Sequence, residues 1–158
     1  MVEEVVLTQP KAKVILTPKA GIAGHFMRGF FRYSLLGQLF VTPFTESLKQ
    51  TSVEAGDVKD AMDKVLKLQE LILTNKNLIL FYRKGLVSKK DKVITLLLEY
   101  AKEAIGKKRL TTRFINVNFL VPSKEKPVEF ELRLIGLKDP DMWLRELNRI
   151  VSSFRGRG

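Results

Sequence analysis

The 158-residue chain contains no cysteine and only one histidine, His25. Without cysteine the chain cannot form disulfides, zinc sites with thiolate ligands or a thiol nucleophile. A single histidine provides no cluster of imidazoles that could hold a metal, and it cannot assemble a catalytic triad by itself. We therefore expect the protein to use neither a metal nor another cofactor.

Long uninterrupted hydrophobic runs are also missing. The most apolar stretch, residues 26–44, is interrupted by Arg28 and Arg32, whereas a membrane-spanning helix needs ~20 predominantly apolar residues. The first ten residues carry two acids and no basic segment, which argues against a signal peptide. These absences predict no membrane span and an intracellular protein, located in the cytoplasm or within a virion.

Acidic residues are scarce relative to basic ones. The chain has 28 Lys and Arg against 17 Asp and Glu, a formal net charge of +11 and a pI near 10.0. Residues 101–158 hold 13 basic and seven acidic residues, so more than half of the excess lies in the last third. A local excess of this kind favours a polyanionic partner.

Hydrophobic residues make up 45% of the chain, enough for a sizeable core in a single domain over 1–158. Residues 1–20 contain two β-branched runs that end at Pro10 and Pro18, a pattern typical of short strands because proline cannot donate to a ladder. These strands could form the edge of a sheet or an extended arm that reaches a neighbouring subunit.

Apolar residues recur at helical spacing in three later segments, 26–42, 51–72 and 88–106, and each is predicted to be a helix. Residues 78–82 fit either a helix or a buried strand; the basic Arg83 and Lys84 before Gly85 favour a helix end. The period then changes to two over 113–121 and 128–134, which predicts an antiparallel hairpin. Asp139, with a proline directly after it, predicts the start of a C-terminal helix.

The predicted fold class is therefore α+β. Three to four helices pack with a small antiparallel sheet, which is formed by the C-terminal hairpin and the N-terminal strands, and a C-terminal helix follows. Residues 154–158 form an Arg-Gly tail after that helix.

The basic residues fall into clusters, and phosphate binding requires cations spaced along a surface. We expect a non-catalytic protein that binds DNA or RNA mainly through the phosphate backbone, with little base specificity. The alternatives are an ordinary charged surface, an anionic membrane, or a structural or inhibitory role in which the basic surface binds an acidic protein such as a polymerase. The predicted nucleic-acid contacts are Arg28, Arg32, Arg83, Lys84, Lys89, Lys90, Lys107, Lys108, Arg109, Arg113, Arg145, Arg149, Arg155 and Arg157.

No constellation of acid, base and nucleophile emerges that would support catalysis. Glu129 and Glu131 share one strand face, but no upstream aspartate completes a nuclease-like set. By the predicted helical architecture alone, without a matching motif, the chain is similar to small helical subunits of archaeal CRISPR effector complexes and to DNA-coating proteins of archaeal filamentous viruses. That similarity transfers no residue roles. We expect an auxiliary or repeated subunit that self-associates or joins a larger nucleoprotein complex, because the N-terminal strands could pair with another chain and the apolar segment 26–44 is more than a small core readily absorbs.

Overall fold

The computed structural model describes residues 3–18, 53–55, 65–84, 90–121 and 128–155. Within these ranges the chain is mostly β-sheet, with one α-helix and one short 3₁₀ turn at Leu98–Tyr100. The helix, α1, spans Pro140–Arg155. The strands are β1 (Val5–Pro10), β2 (Lys13–Pro18), β3 (Val53–Ala55), β4 (Val65–Thr74), β5 (Asn77–Lys84), β6 (Lys90–Leu97), β7 (Ile105–Arg109), β8 (Thr112–Val121) and β9 (Val128–Ile135).

The strands join into a single sheet of order β3-β6-β5-β4-β2-β9-β8-β7, and β1 pairs with β4 outside this path. Every pairing is antiparallel except that of β3 with β6. Strand β4 pairs with β2 through its first residues and with β1 through its later ones. The chain passes from β1 to β2 at Lys11, which has a positive φ of 62°. Strand β4 therefore connects two halves of the sheet.

Side chains from both halves of the sheet and from α1 meet in one hydrophobic core. The rings of Phe119 and Phe130, directly opposite each other on β8 and β9, stack with centroids 4.9 Å apart. A second buried cluster, formed by Ile72, Ile79 and Phe81 with a neighbouring valine, lies on the opposite face of β4, β5 and β6. These strands are therefore buried on both faces, as in sheets covered on two sides.

Burial on both faces explains why the predicted architecture of three to four helices with a small sheet is wrong. Within the helix predicted over 51–72, residues 53–55 form β3 and residues 65–72 lie in β4. Residues 78–82, for which the sequence favours a helix, lie in β5. The helix predicted over 88–106 is replaced by β6, the 3₁₀ turn and the start of β7. A strand with apolar residues on both faces imitates helical spacing over short windows. The helix predicted over 26–42 lies outside the described residues.

The C-terminal helix begins as predicted. The Oδ1 atom of Asp139 accepts a hydrogen bond from the Met142 N–H at 3.1 Å, and Pro140 is the first helical residue. This arrangement is an N-cap followed by a proline whose missing N–H costs nothing at that position. The buried face consists of Trp143, Leu147, Ile150 and Val151.

Two amide side chains hold α1 and the segment before it in place. Asn148 donates to the carbonyl of Ala104 at 3.0 Å and accepts from its N–H at 2.7 Å. Gln9, which is buried on β1, donates to the Gly136 carbonyl and accepts from the Lys138 N–H, both at 2.8 Å. Each amide thus pairs with backbone groups that belong to no strand ladder.

The predicted N-terminal strands are present, and they pair with β4 and β9 of the same chain. Glu3, buried before β1, accepts hydrogen bonds from Thr74 and Asn77 at the turn between β4 and β5. These bonds hold the start of the chain against that turn. In the described part of the chain, no helix is both long enough and apolar enough to cross a membrane.

Candidate functional site

The hairpin formed by β7 and β8 carries the densest basic cluster in the described chain. Residues 104–124 contain five basic residues and no acid. Every residue of β7 is exposed, and so are Thr112 and Arg113 at the start of β8. Lys107, Lys108, Arg109 and Arg113, all predicted contacts, therefore meet on one exposed ribbon. The prediction that the basic run 107–109 follows a helix is wrong, because these residues form a strand.

The basic side chains lie on both faces of this hairpin. Lys108 is paired with Arg113 and Arg109 with Thr112, and successive residues of a strand point to opposite faces. Lys108 and Arg113 therefore share the face that looks towards α1, and Lys107 and Arg109 share the other. The cations of the hairpin are therefore divided between its two faces.

An open groove of about 320 Å³ separates the hairpin from the start of α1. Its apolar lining comes from Phe114, Ile115, Pro140 and Leu144, and its basic lining from Lys107, Lys108 and Arg113. Gly106 allows β7 to lie close to α1 at the groove, because a Cβ atom at this position would lie 3.2 Å from the Cδ2 atom of Leu144. The groove thus has an apolar base and a positively charged border.

Arg113 is the one cation of the hairpin whose charge is offset by a direct ion pair in the described structure. Both of its terminal nitrogens contact the carboxylate of Asp141, in the first turn of α1; the Nη1–Oδ2 distance is 3.5 Å. This hydrogen bond and the adjacent positive charge lower the pKa of Asp141, and the same contact raises the pKa of Arg113. The pair orients the hairpin relative to α1 and reduces the positive charge on that face.

Leu110 occupies the tip of the hairpin and was not singled out by the sequence analysis. Its side chain is 90% exposed, more than any other large hydrophobic residue described. Its φ of 56° is positive, in the left-handed region. A helix predicted over 88–106 gives no hairpin, so the sequence alone does not place Leu110 at a tip between two basic strand ends.

The predicted contacts on α1 are exposed but share an acidic neighbour. The Arg149 Nε lies 2.8 Å from Glu146 Oε2, and the Arg145 Nε lies 4.0 Å from Glu146 Oε1. Arg155 is exposed in the last turn of the helix. Glu146 weakens the attraction of this surface for an anion.

A third basic group lies at the end of the β5–β6 pair, where Lys84 is opposite Lys90 and Arg83 is opposite Asp91. In the strand order, β4, β2 and β9 separate it from the β7–β8 hairpin. The strand order therefore does not place this group beside the hairpin. Four further predicted contacts, Arg28, Arg32, Lys89 and Arg157, lie outside the described residues.

The face of β8 and β9 that points away from the main core is partly buried. Asn116 is 4% exposed. Among the residues that the structure describes, the Oδ1 atoms of Asn116 and Asn118 have no hydrogen-bond partner. The Arg133 guanidinium lies 4.6 Å from the centre of the Phe114 ring, a cation–π contact.

The two carboxylates on this face are engaged with basic side chains. Glu129 lies 3.6 Å from Lys102, and Glu131 lies 3.8 Å from Arg133. Within the described ranges, no group of three or more His, Cys, Asp or Glu residues is placed to hold a metal ion.

Comparisons with protein-family models, with curated proteins and with solved structures find no match to this chain. The helical architecture that suggested similarity to CRISPR small subunits and viral DNA-coating proteins is contradicted by the sheet-dominated fold. Any statement about function must therefore rest on the residues of the chain itself.

Proposed function

We propose that the protein binds nucleic acid through its phosphate backbone and that the β7–β8 hairpin provides the main contact. The observation that carries this proposal is the exposed, acid-free ribbon with cations on both faces. Each neutralised phosphate releases condensed counterions, which is the main source of sequence-independent affinity. A ribbon of Lys and Arg beside an open groove suits that mode of binding.

The proposal ranks the predicted contacts. Lys107, Lys108 and Arg109 have no acidic partner among the described ion pairs, so we expect the largest contribution from them. Arg145 and Arg149 contribute less, because Glu146 lies beside both.

A charge-reversal variant tests the assignment. In the triple variant K107E/K108E/R109E, fluorescence anisotropy at about 50 mM salt should show a loss of at least tenfold in affinity for DNA and RNA oligonucleotides. The control K13E/K67E/K138E changes the net charge by the same amount at three other exposed lysines. It should lose much less affinity. Equal losses in the two variants would show that the hairpin is not the site.

The same assay includes an acidic polypeptide such as polyglutamate. If the wild-type chain binds the polypeptide but neither DNA nor RNA, the nucleic-acid proposal is refuted and an acidic protein partner is supported. The expected self-association or membership in a larger complex stays a prediction, which size measurement with and without nucleic acid can check.

A further inference from the structure

The tip of the β7–β8 hairpin combines two features that are unfavourable for the isolated chain. Leu110 is 90% exposed, and it has a positive φ of 56°. Among the described non-glycine residues only Lys11 shares such a φ. A positive φ at the first residue alone of a two-residue loop is the pattern of a type II′ turn, where glycine is the usual residue. Leucine therefore occupies a position that glycine would fill with less strain, and strain of this kind indicates a functional role.

The distribution of charge around Leu110 indicates what the tip meets. Lys108 and Arg113 lie on one face of the hairpin, and Lys107 and Arg109 lie on the other. The groove of a nucleic-acid duplex has a phosphate chain along each wall. A ribbon inserted tip first would place Lys107 and Arg109 towards one wall and the leucine towards the bases. Lys108 and Arg113 would lie on the side of the other wall, where the Asp141 carboxylate offsets the charge of Arg113.

The hairpin is long enough to reach the base pairs. Strand β9 ends at Ile135, opposite Phe114, so the pairs Lys108–Arg113 and Arg109–Thr112 and the two-residue loop extend beyond it. At ~3.3 Å per residue this extension is roughly 10 Å. The grooves of B-form DNA are about 7.5–8.5 Å deep.

We propose that the β7–β8 hairpin enters a groove of double-stranded DNA and that Leu110 inserts between adjacent base pairs, partly unstacking them and kinking the duplex. Apolar wedges of this kind bend DNA by roughly 20–90°. Binding is then favoured at flexible pyrimidine–purine steps, which unstack at the lowest cost. This inference rests on the proposed function, and it specifies the ligand as duplex DNA.

The decisive variant is Leu110→Gly, because glycine relieves the positive φ while it removes the wedge. We expect its melting temperature to equal or exceed that of the wild-type protein. The control variant is Leu120→Ser, which removes another exposed leucine, 40% exposed, away from the tip. Serine is chosen because glycine would weaken the interior of a strand. Leu110→Asn is a second variant, since asparagine also tolerates a positive φ.

The assay uses a duplex with a central TA step, labelled at both ends for energy transfer and carrying 2-aminopurine at that step. Wild-type protein and Leu120→Ser should bend the duplex and raise the 2-aminopurine fluorescence. Both Leu110 variants should neither bend the duplex nor raise the fluorescence, and their affinity for the duplex should fall by about tenfold. Their affinity for the single strand should stay within about twofold, because phosphate contacts remain.

The outcomes separate the two proposals. If the wild-type protein binds duplex and single strand at low salt but the Leu110 variants bend the duplex equally well, the wedge is refuted and the proposed function stands. If the wild-type protein binds neither nucleic acid, both are refuted. Two other results would also refute the wedge. One is binding to vesicles of phosphatidylserine and phosphatidylcholine that depends on Leu110. The other is binding to duplex RNA that depends on Leu110, with no bending of DNA.

Discussion

Asn148 offers the sharpest test of how α1 is held beside the basic hairpin. Its side-chain amide donates to the carbonyl of Ala104 at 3.0 Å and accepts from the Ala104 N–H at 2.7 Å. Ala104 is 3% exposed, so replacing Asn148 by Ala leaves two backbone groups without a partner and largely shielded from water. Such groups cost about 1–3 kcal/mol each, less where water can enter, and we expect a total loss of about 2–4 kcal/mol.

The assay is chemical denaturation of the wild-type protein and Asn148→Ala, together with thermal melting. For a chain of this size, the expected loss corresponds to a fall in melting temperature of roughly 5–15 °C. Ser152→Ala, on the exposed side of the same helix, should change the free energy of unfolding by less than about 0.5 kcal/mol.

The variant Asn148→Asp makes the stability of this contact depend on pH, because an aspartate side chain can donate a hydrogen bond only when it is protonated. At neutral pH the carboxylate still accepts from the Ala104 N–H but faces the Ala104 carbonyl without a proton to donate. In acid, the protonated carboxyl can donate again, so the deficit relative to wild type should shrink as the pH falls. A loss below about 0.5 kcal/mol in Asn148→Ala would refute the view that this amide anchors α1.

Four further predictions concern three residues. Asp141→Asn releases Arg113 from its ion pair, so it should raise affinity for oligonucleotides and steepen the log–log salt dependence by about one unit; no change in slope would argue against Arg113 as a contact. The pKa of Asp141 is lowered in the folded chain. The ion pair therefore stabilises the fold above the unfolded-state pKa, and this stability is lost as the pH falls through the folded-state pKa. Denaturation at several pH values should show this loss in the wild-type protein but not in Asp141→Asn. Burial raises the pKa of Glu70, so Glu70→Gln should be more stable than wild type at pH 7, and the difference should vanish below the ordinary pKa of 4.5. Gly136→Ala should lower the free energy of unfolding by about 1 kcal/mol in chemical denaturation, because the φ of +77° strains any residue other than glycine. A Cβ atom there would meet nothing within 4 Å, so a steric clash adds nothing. An unchanged stability would show that this loop tolerates the strain.

The sequence predicted the elements whose hydrophobic pattern fits only a strand or only a helix. Strands β8 and β9 alternate apolar and polar residues, and α1 has a cap, a proline and one apolar face, so both were found. The central strands were missed because tertiary burial on both faces overrides the alternating pattern. Leu71, Ile72 and Leu73 are all fully buried on β4, and such an apolar run also fits a buried helix.

The candidate site was predictable in composition but not in geometry. The basic residues 107–109 and Arg113 were identified from charge alone. Their arrangement on two faces of a ribbon depends on a strand pairing that a helix prediction cannot give. The importance of Leu110 depends on its φ angle and exposure, neither of which a leucine in a sequence reveals.

The salt dependence of affinity tests the central claim most directly. With a random-sequence DNA duplex, the log of the association constant should fall linearly with the log of the salt concentration for the wild-type protein. The slope for K107E/K108E/R109E should be shallower by about 2–3 units, close to 0.9 for each phosphate that the variant no longer neutralises. A slope equal to that of the wild-type protein would contradict the account, because the hairpin cations would then neutralise no phosphates.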